Sequence, residues 1–86
     1  MKVQNFESTK GNKVANQFLI QDAGKSIFQS YNSVIAIRQN GKITLDEKYW
    51  NYSRTTAKYR SQFLGESTKE TQSKIDSGEY KLANLN

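Results

Sequence analysis

After Tyr52 the chain carries helix punctuation twice in succession, and this pair of signals is the strongest constraint on its fold. Ser53 is suited to an N-cap and Gly65 to the left-handed residue past a helix end, so the spacing predicts a helix between them. Ser67-Thr68-Lys69-Glu70 matches the capping box, in which serine and glutamate each bond the other's backbone amide; Gly78 closes the helix it opens. At 100° per residue, Tyr52, Thr56, Tyr59 and Phe63 fall on one stripe of the first helix, with Arg54, Lys58 and Ser61 opposite. The second helix offers Ile75 as its one large apolar residue, which predicts a surface helix with few contacts.

Before residue 49 the pattern is extended. A short strand is predicted at Val3–Glu7, then a turn-rich stretch from Ser8 to Lys13. Val14–Gln21 alternates, with Val14, Asn16, Phe18 and Ile20 on one face and Ala15, Gln17, Leu19 and Gln21 on the other. Asp22-Ala23-Gly24-Lys25 reads as a turn. Strands follow at Ser26–Tyr31 and Ser33–Arg38. Ile27, Tyr31, Ile35 and Ile37 share parity, which fits one long strand bent near Asn32. Asn40-Gly41 marks a hairpin between Val34–Arg38 and Lys42–Asp46. A three-residue loop, Gln39-Asn40-Gly41, would pair Ile37 with Ile43 and Ile35 with Leu45. A two-residue loop would mix polar with apolar partners, so the three-residue loop is expected. Glu79–Ala83 alternates again and reads as a final edge strand. Strands, then helices, then a strand predict a single α+β domain over residues 1–86: a small antiparallel sheet of about 4–5 strands with two helices on one side.

A domain of 86 residues buries only about 60% of its unfolded surface, so aromatic residues must carry much of the core. Cysteine and histidine are both absent. This removes disulfides, thiolate metal sites, the commonest general base and the commonest metal ligand together. Asp46-Glu47 is the one adjacent pair among scattered carboxylates, and neighbours on a strand point to opposite faces. No phosphate-binding glycine loop, nucleophile elbow or zinc-binding helix motif is present. The reading is a non-enzyme with no cofactor and no metal. Met1–Phe6 lacks an apolar signal-peptide core, and no apolar run approaches the roughly 18 residues of a membrane helix, which predicts a cytoplasmic protein without membrane contact.

The net charge of +5 favours acidic partners, nucleic acid included, although the cations are spread along the chain. Arg54, Lys58 and Arg60 interleave with Tyr49, Trp50, Tyr52 and Tyr59. In that arrangement exposed rings stack on unpaired bases while the cations hold phosphates. The competing reading makes Tyr52, Tyr59, Phe63 and Trp50 core and leaves Arg54 and Lys58 on a solvated face. The candidate macromolecule-binding residues are therefore Arg54, Lys58, Arg60, Tyr49 and Trp50.

The segments Phe28-Gln29-Ser30-Tyr31-Asn32-Ser33-Val34-Ile35-Ala36, Tyr49-Trp50-Asn51-Tyr52-Ser53-Arg54-Thr55-Thr56-Ala57-Lys58-Tyr59 and Phe63-Leu64-Gly65-Glu66 together resemble a family of small uncharacterised proteins of bacteriophages and mobile elements. Many relatives carry a histidine where this chain has Tyr59. The resemblance covers roughly residues 26–66, is weaker toward Leu85, and implies a phage context without an activity. In that context the leading reading is a non-enzymatic accessory protein in the bacterial host cell that binds a host or phage macromolecule, a protein first of all, with inhibition of host defence as a sub-case. Nucleic-acid binding through the basic and aromatic helix region is the alternative, and a virion or morphogenesis component is a third.

Overall fold

The computed structural model describes residues 1–86. The elements in chain order are β1 (Lys2–Glu7), β2 (Lys13–Asp22), β3 (Lys25–Ser30), β4 (Ser33–Gln39), β5 (Lys42–Asp46), α1 (Arg54–Leu64), α2 (Thr68–Asp76) and β6 (Lys81–Ala83). All six strands form one sheet in sequence order. The α+β class is as expected, but the sheet is larger and mixed. β1 to β5 form an antiparallel meander, and β6 lies parallel to β5. The reason is the crossover: both helices lie between β5 and β6, and a long connection of this kind can carry the chain back to the end of the sheet at which β5 began.

The helix ends follow their predicted caps. Ser53 is extended (φ −148°) and its hydroxyl accepts from Thr56 N, while Gly65 is left-handed (φ 71°). The Ser67–Glu70 box is formed in both directions, at 3.2 and 3.1 Å. α1 buries Thr56, Tyr59, Arg60 and Phe63. Tyr52 does not join that stripe. It precedes the cap, outside the helix, and is 67% exposed.

Phe28, fully buried on β3, is the centre of the core. Its ring meets Phe6 edge-on at 5.3 Å and stacks on Phe63 at 6.0 Å. Such a side chain stabilises by roughly 1.5–3 kcal/mol through burial. Ile35, Ala36, Ile43, Leu45, Tyr59 and Tyr80 complete the buried set.

Three local expectations are corrected. β3 and β4 are separate antiparallel strands, with Ser30 paired to Ser33 and Tyr31-Asn32 as the turn. A register shift beside Phe28 buries Ile35 while Ile37 pairs with Ile27. The β4–β5 hairpin has the two-residue loop, Asn40-Gly41, both at positive φ (54° and 73°), with Gln39 paired to Lys42 and Arg38 to Ile43. The mixed pairing is tolerated because Arg38 acts as an inward residue: its guanidinium lies 4.8 Å over Phe63 and donates to the Phe63 carbonyl at 2.8 Å. In β2, Asn16 takes positive φ (65°) and breaks the alternation, so Val14 packs on the core while Phe18 and Ile20 turn away from it.

Candidate binding surfaces

The predicted site residues separate in space. Arg54 and Lys58 are exposed on α1, and the Lys58 ammonium sits 5.5 Å from the Tyr59 ring. Arg60 is 0% exposed. One terminal nitrogen donates to Trp50 O (2.7 Å) and Asn51 Oδ1 (3.1 Å), the other to Thr68 Oγ1 (2.6 Å). Its carbon lies 5.1 Å over the half-buried Trp50 ring. Burial lowers its pKa, while the nearby Glu66 charge pushes it back up. Arg60, expected at a partner surface, is instead buried: its two terminal nitrogens tie the segment before α1 to the start of α2, while its Nε has no hydrogen-bond partner. Its place beside the apolar stripe of α1 is the signal that separates it from Arg54 and Lys58.

Two buried carboxylates act in the same internal way. Asp46 accepts from the amides of Lys48 (3.1 Å), Tyr49 (2.8 Å) and Leu85 (2.8 Å) and from Asn86 Nδ2 (3.0 Å). Burial pushes its pKa up, but these donors outweigh burial and hold it below the ordinary carboxylate value. The Asn86 side chain in turn bonds both backbone groups of Val34, so the chain terminus is laced to β4. The Glu66 side chain, 5% exposed, accepts from Tyr80 Oη (2.6 Å), Thr71 Oγ1 (2.7 Å) and Lys74 Nζ (2.9 Å). Against the upward push of burial, those bonds keep its pKa low. Each of the four carboxylate oxygens accepts from within the fold, so these carboxylates read as braces.

The residues missed by the sequence reading lie on the other side of the sheet. The helices pack on the face carrying Phe28 and Ala36. On the opposite face the register aligns Val3, Ile20, Ile27 and Ile37 in one row across four strands. Phe18 and Val34 join the neighbouring row through Gln29. None of these six belongs to the buried core or to the partly buried residues packed against it. Lys25, Lys42 and Lys81 share this outer face, with Asp22 directly across from Lys25. The signal was present in the adjacent apolar pairs Leu19-Ile20, Ile27-Phe28 and Ala36-Ile37. Each places one apolar side chain on either side of the sheet, where a half-solvated sheet would alternate with polar residues.

A cleft of about 580 Å³ opens between the β3–β4 turn and the start of α1. Tyr31, Tyr49 and Tyr52 are among its lining residues, with Ser30 and Thr56. Tyr49 and Tyr52 meet edge-on at 5.4 Å, and Lys48 lies 5.4 Å from the Tyr49 ring. Thus Tyr49 is placed in a surface feature, and Trp50 is placed against the core and Arg60.

The architecture is that of a small α+β domain with an open sheet face. A family of unknown function (DUF8033) matches residues 1–79, and the chain belongs to that family. No curated protein and no solved structure matches it. No helix is long and apolar enough to cross a membrane.

Proposed function

We propose that this is a non-catalytic accessory protein that acts by binding another protein on the outer face of its sheet. The observation that carries the reading is the apolar row of Val3, Ile20, Ile27 and Ile37, flanked by Phe18 and Val34, which lies on the face away from the helices and outside the core, with Val3 exposed and the others half-buried. Contiguous apolar surface rimmed by polar residues marks protein interaction sites. The lysines on the same face favour a partner with an acidic rim. They also count against a second copy, because each chain brings a net charge of +5. Burial of Arg60 weakens the rival reading of a nucleic-acid strand held along α1, since it leaves Arg54 and Lys58 without the third cation. The resemblance supports a phage setting in which the partner is a host or phage protein, with inhibition of host defence as the sub-case.

The test is affinity capture from an infected host, with and without nuclease, comparing wild type with the double variant Ile20→Thr/Ile37→Thr. Threonine keeps the β-branched shape while making the row polar. A partner protein should survive nuclease and be lost with the variant, whose circular dichroism stays that of the wild type. A partner released by nuclease, or one held equally by the variant, would refute the reading.

A further inference from the structure

β1 closes the sheet on one side, with β2 as its one neighbour. In an antiparallel pair alternate residues turn both backbone groups toward the partner strand, and the residues between them turn theirs away. β1 therefore presents amides and carbonyls along a free edge. No turn, loop or cap bond of the backbone reaches Lys2–Phe6; the side chain of Gln62 approaches the strand only at its end, 3.5 Å from Glu7 O. Lys2, Val3 and Gln4 are exposed. The opposite edge is different. β6 has three residues where β1 has six, and the Ala83 carbonyl is taken by the amide of Glu47 (2.8 Å). Open sheets blunt their edges with short strands, proline, bulges, charges or a covering segment. In β1 such devices sit at the two ends, Lys2 at one and the register shift before Glu7 at the other, and Val3-Gln4-Asn5 between them is uncharged.

A cleft of about 500 Å³ lies beside this edge on the inner face. Four consecutive residues, Gln4 to Glu7, line it, so the strand itself is one wall and the end of α1 stands opposite. Its charged lining is Lys13, Arg38 and a single carboxylate, Glu7, which faces Lys13 across the ladder. Lys2 stands in the same cross-strand row as Arg38, through Gln21 and Ser26. The excess of cations favours an anionic side chain entering from the edge. On the outer face the neighbour is instead Val3, the first member of the apolar row. Successive side chains of a strand point to opposite faces, so the two demands fall on alternate residues of whatever pairs with β1.

We infer that the β1 edge takes up an extended segment of another protein as an added strand, with acidic residues toward the cleft alternating with apolar residues beside Val3. Main-chain bonds to the edge supply affinity, and the alternating side chains choose the partner. A net charge of +5 on every copy, with Lys2 on the edge itself, counts against a second chain in this place. The edge is a different surface from the outer face, and either can fail without the other.

The probes are acetylated peptides of the length of β1: one alternating glutamate with valine, its lysine–valine counterpart, and the glutamate–valine peptide methylated on alternate backbone nitrogens, in both phases. Each is titrated into isotope-labelled protein and followed by amide chemical shifts. The glutamate–valine peptide should saturate at millimolar concentration or below, with the largest shifts at Lys2–Glu7 and around the cleft. Methylation should weaken binding about tenfold or more in the phase whose amides face the edge, and little in the other. The lysine–valine peptide should bind more weakly than its glutamate counterpart, and Lys2→Gln/Lys13→Gln should weaken glutamate–valine binding about threefold or more while its circular dichroism stays that of the wild type. Ile20→Thr/Ile37→Thr should bind the peptide as the wild type does. The inference is overturned by absence of shifts at Lys2–Glu7 at millimolar peptide, by equal binding of both methylated forms, by a lysine–valine peptide that binds as tightly, or by affinity that Lys2→Gln/Lys13→Gln retains in full. Self-association of the wild type in sedimentation that shifts these same amides would give the edge to a second copy and overturn it too.

Discussion

On the inner face of the sheet Phe6, Phe28, Ala36, Ile43 and Leu45 are buried under the helices and the connections between them, while on the outer face Val3 is exposed and Phe18, Ile20, Ile27, Val34 and Ile37 are half-buried, outside that core. The chemistry of the two faces runs against the usual division. The covered side holds Gln17, Ser30 and Arg38 as well as its phenylalanines, and the open side holds a row of β-branched residues. Covered polar groups survive because most of them are answered: Ser30 by Thr56, Arg38 by the Phe63 carbonyl and ring. The half-buried isoleucines of the outer face gain less than the fully buried Phe28 and Leu45 of the inner face. Burial on the inner face therefore stabilises the fold, and the apolar area of the outer face is the surface to which the proposed interaction is assigned. Adjacent apolar residues such as Ile27 and Phe28 thus point to opposite faces, one half-buried and one fully buried.

Substitutions on each face test this division, and the largest effect is expected on the covered one. Phe28→Ala removes the ring that links β1 to α1 and should cost about 3–5 kcal/mol, enough to unfold a domain of this size at 25 °C. Urea denaturation followed by circular dichroism measures it. A variant as stable as the wild type would mean that the inner face is not where stability resides.

An intermediate effect is expected at the end of the sheet, where Asp46 holds the chain terminus. Asp46→Asn keeps the size but loses the charge that accepts from four donors, and should cost roughly 1.5–3 kcal/mol at neutral pH. The sign with pH follows from the lowered pKa of the folded state. Stability from Asp46 is fully present above the unfolded value near 4 and is lost as pH falls through the lower folded value. Glu66 acts in the same direction. Wild-type stability should thus decline in acid below about pH 4, and the decline should be shallower in Asp46→Asn. Equal acid slopes for the two proteins would remove the Asp46 brace.

The smallest effect is expected on the open face. Ile27→Thr, at the middle of the outer row, should change stability by less than about 1 kcal/mol, since threonine keeps strand propensity and no covering layer is disturbed. A loss as large as that of Phe28→Ala would show that the outer face is covered in solution. Sedimentation of the wild type over a concentration series would then reveal whether a second copy covers it.

The sequence by itself determined the elements whose causes are local. Both helices begin and end at their predicted caps, because a serine hydroxyl bonding an amide three residues on, or a glycine at positive φ, needs no distant partner. The Asn40-Gly41 turn was legible for the same reason, and the final strand from its alternation, although its pairing was not. Tertiary structure decided what depends on residues far apart in the chain. The loop length of the β4–β5 hairpin turned on Phe63, which offers Arg38 a carbonyl and a ring and so makes an inward arginine possible. The direction of β6 turned on the two-helix crossover, and the fate of Arg60 on Trp50 and Thr68. Periodicity shows that a strand has two faces. Which of them is covered follows only from where the helices come to rest, and that is settled by long-range packing between Phe28, Phe6 and Phe63.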